Sequence, residues 1–246
     1  MDTSQGDSAT GSAALRGRPN AALRRHLLGP HPLIRHYLER LNFRGILRDG
    51  LGTGVEGGLD HAEVLAVLVH NVLGSRGPMY RIREWAMRLE PEALGLTGSQ
   101  VSGLNDDRLV RSLEALVSPR ARNVFFRLAL RAIKDFALQV PRVHFDTTPV
   151  TFFGQYVGSR AEPRIAHGHN KDHRPDLKQL LFGLNVTSDG AVPLLHHVFN
   201  GNRTDDSVHV RNFDELRALL GREGFVYVAD SKLCTTANLA HVAGHG

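Results

Sequence analysis

The chain of 246 residues contains one cysteine, Cys234, one tryptophan and three methionines. A single thiol forms no internal disulfide and builds no cysteine-rich zinc site, which accords with a reducing compartment. Long apolar runs are missing as well. The longest, Val64 to Val69, falls far short of the ~20 residues needed to cross a bilayer. The polar start MDTSQGDSATGS offers no apolar leader. The expectation is a soluble cytoplasmic protein with no membrane partner. With 41% hydrophobic and 22% charged residues, usage is near that of ordinary globular proteins, which sets aside disordered, collagen-like and coiled-coil readings.

What charge there is sits unevenly. Lysine and arginine exceed aspartate and glutamate by 30 to 25, and residues 1–140 hold 19 basic against 14 acidic side chains, whereas 141–246 hold 11 of each. The whole excess lies in the first part. A basic segment beside a neutral one suits contact with a polyanion by the former and another task for the latter. Solvated helical faces rich in arginine would look the same.

Residues 1–29 mix Gly, Ser, Ala and Arg without sustained period and read as a mobile basic arm. From His31 to about Val140 the period is helical. Asp60 followed by Glu63 forms a capping-box pattern, and Ala62, Leu65, Ala66, Val69 and Leu73 recur as one apolar stripe, predicting a helix over 60–73. Pro78 precedes a second helix through Tyr80, Ile82, Trp85, Ala86 and Leu89, stopped near Pro91. Asn105 or Asp106 caps a third, and Pro119 opens a fourth whose stripe is Phe125, Leu128, Ala129, Ala132, Ile133 and Phe136.

At Pro141 the period changes. VHFDTTPVTFF is rich in β-branched and aromatic residues, and QLLFGLNVTSDGAVPLLHHVF reads as two strands around Asp189-Gly190. Thr204, Asp205 and Asp206 offer caps for a helix ending at Gly221. FVYVAD then reads as a buried strand, and a last helix starts near Thr235. The order strand, strand, strand, helix, strand, helix predicts a mixed sheet with helices on its faces. The fold class is α/β, or α+β counting the helical first half.

Two aspartates occupy positions that strands rarely give to acids: Asp146 inside VHFDTT, and Asp230 behind five apolar residues. A carboxylate in a buried strand requires a partner, a hydrogen bond or a metal. Both could converge at one end of the sheet on Mg²⁺, a hard ion suited to carboxylate oxygens and to phosphodiester chemistry. Equally, both could cap the turns that follow them.

VHFDTTPVTFFGQY, HNKDHRPDLKQLLFGLNVTSDGAVPL, the GNRTDD turn and FVYVADSKLCT together resemble the catalytic core of insertion-sequence DDE transposases, with an RNase H-like fold. PLIRHYLERLNFRGIL, the helix at 60–73 and LNDDRLVRSLEAL are similar to the N-terminal domain that precedes that core in one branch of the family. The similarity covers roughly residues 30 to 243. It implies an arm over 1–29, a helical domain over 30–140 and a partial RNase H-like core over 141–246.

The resemblance further implies that Asp146 is the first catalytic acid and Asp230 the second, both ligands of Mg²⁺ or Mn²⁺. The reaction implied is hydrolysis at DNA ends to expose a 3′-hydroxyl, then attack of that hydroxyl on a target strand. Double-stranded DNA and further copies of the chain are the implied partners, and a nucleoid-associated location follows. Lys171, Arg174, Lys178 and Lys232 flank the acids and are candidates to hold phosphates, or simply to solvate loops. The family's third acid, a glutamate on a later helix, matches no residue here. Glu215 and Glu223 precede the last strand and are not natural substitutes. The expectation is a truncated copy, inactive alone, or a non-catalytic DNA-binding or dimerising remnant.

Other chemistry is weighed and set lower. His167, His169 and His173 lie close in sequence and His196-His197 sit on a strand, but the spacing is not that of a zinc site and strand neighbours face opposite ways. His144 shares the Asp146 face, as a residue hydrogen-bonding near the metal or as a packed core histidine. Cys234 has no identifiable base. Gly50, Gly52, Gly54, Gly57 and Gly58 lack the lysine of a phosphate loop and read as a flexible connection.

Overall fold

The structure, a computed structural model, describes residues 26–52, 58–156, 162–168, 174–203, 208–221 and 224–245. It is mixed α/β. Seven helices come first: α1 (His31–Arg40), α2 (Phe43–Leu51), α3 (His61–Gly74), α4 (Ile82–Ala86), α5 (Gly98–Ser102), α6 (Asp106–Leu116) and α7 (Val124–Asp135). Strands β1 (Arg142–Phe152), β2 (Ala166–His167), β3 (Lys178–Thr187) and β4 (Pro193–Asn200) follow, then α8 (His209–Leu220), β5 (Val226–Val228) and α9 (Thr236–His245).

Helix α3 is the axis of the helical half. The expected capping box forms: Glu63 N–H donates to Asp60 Oδ1 at 2.8 Å, and Asp60 N–H donates to Glu63 Oε2 at 2.9 Å. Burial goes beyond the predicted stripe, because α1, α2 and α6 pack around it and cover Val64, Val67, His70 and Asn71 as well. Leu73, predicted inside, is exposed where the helix outruns its neighbours. The second predicted helix shortens to α4, and Tyr80 also stands in solvent. Asn105 caps α6 by accepting from Arg108 N–H at 2.8 Å. Pro119 opens a single 3-10 turn, and α7 begins five residues later.

Two expectations need correcting. The last four residues of the predicted arm are built into the fold: Leu27 bridges to Leu89, and His26 Nδ1 lies 3.0 Å from the Leu89 carbonyl oxygen. Gly50 belongs to α2 and packs against Val124. Residues 1–25 and Gly54 and Gly57 lie outside the described residues.

The sheet is five-stranded and mixed. β3 lies between β1 and the pair β2 and β4, all antiparallel to it, and β5 adds to the free side of β1 in parallel. The turn between β3 and β4 spans 188–192 rather than two residues, with Gly190 and Ala191 at positive φ. Its Asp189 accepts from Gln139 N–H, tying the turn to the segment that enters β1. Helix α7 joins the halves. Val124 and Leu128 pack into the helical core with Ile46 and Leu65, while Ala129 and Ile133 pack with Leu194 and Val143 of the sheet.

Candidate active site on the open face of the sheet

β1 alternates strictly: Val143, Phe145 and Thr147 are buried, and Arg142, His144, Asp146 and Thr148 are exposed. The register carries that division across the sheet. Phe145 is opposite Asn185 and Thr147 opposite Gly183, both buried, while Asp146 is opposite Leu184. Helix α8 covers the buried face. There Asn212 and Asn185 exchange hydrogen bonds of 2.7 and 2.9 Å, and Asn212 Nδ2 donates to the Tyr227 hydroxyl at 2.9 Å. Burial holds the Tyr227 hydroxyl above its usual range. On the opposite face Phe125 of α7 meets the His196 ring at 4.8 Å and His196 stacks on Phe182.

Asp146 stands exposed on this face, and Asp230 is the exposed residue that caps the turn after β5. β1 and β5 pair in parallel as Arg142 with Val226, Val143 with Tyr227 and His144 with Val228. Residues paired in parallel strands share a face. The pairing stops at His144 and Val228; Asp146 lies two residues further along β1, and Asp230 two residues past the end of β5 with extended backbone angles of −70° and 179°. One oxygen of each carboxylate is held by a backbone N–H: Thr147 donates to Asp146 at 2.7 Å, and Lys232 donates to Asp230 at 3.1 Å. The other oxygen of each has no protein donor among the described residues.

The reason for singling out these acids changes accordingly. Neither is buried, so neither is compelled by desolvation to find a partner. β5 is a short edge strand with Val226 exposed, not the buried strand that FVYVAD suggested, because nothing pairs beyond it among the described residues. His144 is likewise exposed rather than packed in the core. Asp230 does cap the turn that follows, as one of the two sequence readings anticipated, and the cap leaves half of its carboxylate open.

Of the cations proposed beside the acids, Lys232 adjoins Asp230, to which its backbone N–H donates. Lys178 lies opposite Phe152, six residues along β1 from Asp146 and so about 20 Å away. It donates there to the carbonyl oxygens of Gln155 and Tyr156. Arg174 is held in a fork by Asp176 at 2.8 and 2.7 Å. Lys171, His169, His173, Glu223 and the cap candidates Thr204, Asp205 and Asp206 lie outside the described residues. Glu215 is on α8, 3.6 Å from buried His197, hence on the far side of the sheet from Asp146. His196 and His197 face opposite ways, as the alternation requires. Among the described residues no three His, Cys, Asp or Glu side chains converge, and no helix is long and apolar enough to cross a membrane.

Sequence reasoning missed Arg142. The signal was available in the alternation of RVHFD, which places Arg142, His144 and Asp146 on one face.

Residues 26–130 match the domain of unknown function DUF4277. That match covers α1 to α6 and the first half of α7 and stops before the sheet. No curated protein and no solved structure matches the chain.

Proposed function

We propose that the chain is a DDE-type transposase whose sheet carries two of the metal-holding acids, with Mg²⁺ or Mn²⁺ as cofactor and double-stranded DNA as substrate. The observation that carries this reading is the parallel pairing of β1 with β5, with exposed Asp146 two residues beyond the last β1 pair and exposed Asp230 two residues beyond the last β5 pair. Support comes also from strand order. Three antiparallel strands followed by a helical crossover to a parallel strand beside the first is the RNase H-like arrangement that the sequence resemblance implies.

The donor set fits a hard divalent ion. Two carboxylates each present one open oxygen, and an exposed face leaves room for water and phosphate. Such an ion, when bound, neutralises charge on the phosphate and activates the attacking oxygen. The residues of the chain have simpler tasks. Backbone N–H groups of Thr147 and Lys232 fix the two carboxylates.

The second reading is a non-catalytic DNA-binding or dimerising protein that interferes with an active relative. It is favoured by the sequence resemblance, in which the family's third acid matches no residue here, and by Glu215 lying on the α8 side of the sheet. A strand-cleavage assay on DNA carrying the ends that flank its own coding sequence, with and without Mg²⁺, separates the two. Metal-dependent cutting that Asp146→Asn abolishes establishes the transposase. Binding without cutting establishes the second reading, and cutting without preference for the ends points to a general nuclease.

A further inference from the structure

Arg142 and His144 stand on the same exposed face of β1 as Asp146, and neither side chain has a hydrogen-bond or ion-pair partner among the described residues. Several other exposed arginines are engaged. Arg127 pairs with Asp49, Arg131 with Asp135, Arg174 with Asp176 and Arg211 with Glu215. Arg142 is fixed at its base, since its carbonyl accepts from Ser188 N–H and its backbone is locked in register with Val226. Its neighbours on β5 and β3 include the apolar Val226, Val228 and Val186, and Ser188, whose N–H bonds the Arg142 carbonyl.

We propose that Arg142 and His144 form a phosphate-binding row that lays one DNA strand along β1 toward Asp146 and Asp230. This rests on the transposase reading of those acids. From Arg142 to Asp146 the strand advances about 13 Å, roughly the rise of four nucleotides along one DNA strand. Charge fits that occupant: the guanidinium offers two parallel donors to a phosphate, the imidazole a third donor, and the carboxylates would hold a divalent cation at the terminus. The contacts are to backbone phosphates, so they set position and not sequence. Arg142 is a positioning residue for the strand that reacts at the acids.

The experiment measures binding of a fluorescent 20-base-pair DNA to the full chain in Mg²⁺ across a range of salt concentrations. Arg142→Gln should weaken binding about tenfold and lower the slope of log affinity against log salt by about one. Arg142→Lys should restore the slope without restoring full affinity. Arg211→Gln, on the α8 face, should change neither. The proposal is overturned if wild-type chain does not bind, if Arg142→Gln leaves the slope unchanged, or if Arg211→Gln lowers it equally. Asp146→Asn removes metal binding and cutting if the transposase reading holds. A slope that responds to Arg142 while Asp146→Asn has no effect therefore refutes that reading and leaves the phosphate row standing.

Discussion

Asn185 on β3 and Asn212 on α8 exchange two side-chain hydrogen bonds with no solvent access to either residue. The pair sets the height of α8 over the sheet, and Asn185 stands opposite Phe145, the residue before Asp146. Asn212→Ala removes donor and acceptor together, leaving Asn185 Oδ1 unpaired, Asn185 Nδ2 with only the Leu195 carbonyl at 3.3 Å and the Tyr227 hydroxyl with only His209 at 3.3 Å. An unpaired buried polar group costs about 1–3 kcal/mol, so a loss of roughly 3 kcal/mol in urea unfolding is expected. Asn212→Asp should be at least as damaging at neutral pH, since it places a charge in a dry site. A loss under 1 kcal/mol for both would show that the pair contributes little.

The buried histidines of the helical half predict a pH dependence. His31 Nδ1 lies 3.3 Å from His70 Nδ1, both residues are buried, and Trp85 closes one side of His31. Burial, then the nearby His31, Arg44 and Arg35, lowers the His70 pKa from 6.5 to about 4, and burial lowers that of His31. The folded state thus binds fewer protons than the unfolded state between those values. The sign follows: this stability is fully present above pH 6.5 and is lost as pH falls toward 4, by on the order of 2 kcal/mol. Denaturation midpoints from pH 7.5 to 5 should fall in the wild type and fall less in His70→Gln. Equal slopes would remove the histidine pair as the cause.

Two glycines should respond very differently to alanine. A Cβ on Gly201 would drive into the carbonyl oxygens of Gln179 and Ala166, where β2, β3 and β4 end together. A Cβ on Gly221 meets nothing within 4 Å, although its φ of +59° is costly for alanine. Gly221→Ala should cost about 1 kcal/mol, and Gly201→Ala several times that, since only backbone movement relieves the clash. Thermal melts of the two variants make the comparison, and similar losses would refute it.

Local signals made much of this fold legible. The capping box at Asp60 and the strands read from VHFDTTPVTFF and QLLFGLNVT depend on neighbours within a few residues and form, and of Asn105 and Asp106 it is Asn105 that caps α6. What the sequence hides is decided by contacts between distant segments. Leu27 meets Leu89 and Lys178 finds the carbonyls of Gln155 and Tyr156, pairings without any local pattern. Asp146 shows the limit most plainly. Alternation assigns it to a face, but only the placement of α7 and α8 decides that this face is the open one.

That placement makes the metal testable without any reaction. A cation that binds only the folded chain stabilises it by about 1.4 kcal/mol at ten times its dissociation constant, which for a chain of this length raises the melting midpoint by a few degrees. Mg²⁺ or Mn²⁺ should raise the midpoint of the wild type and leave Asp146→Asn and Asp230→Asn unchanged. Asparagine keeps an acceptor for the Thr147 or Lys232 N–H, so either variant should fold. Glu215→Gln is the control, because it removes an acid from the other side of the sheet. A midpoint that rises equally in all four proteins would mean that the ions act on the surface at large. A rise that only Glu215→Gln removes would place the cation beneath α8 and end the pairing of Asp146 with Asp230 as its site.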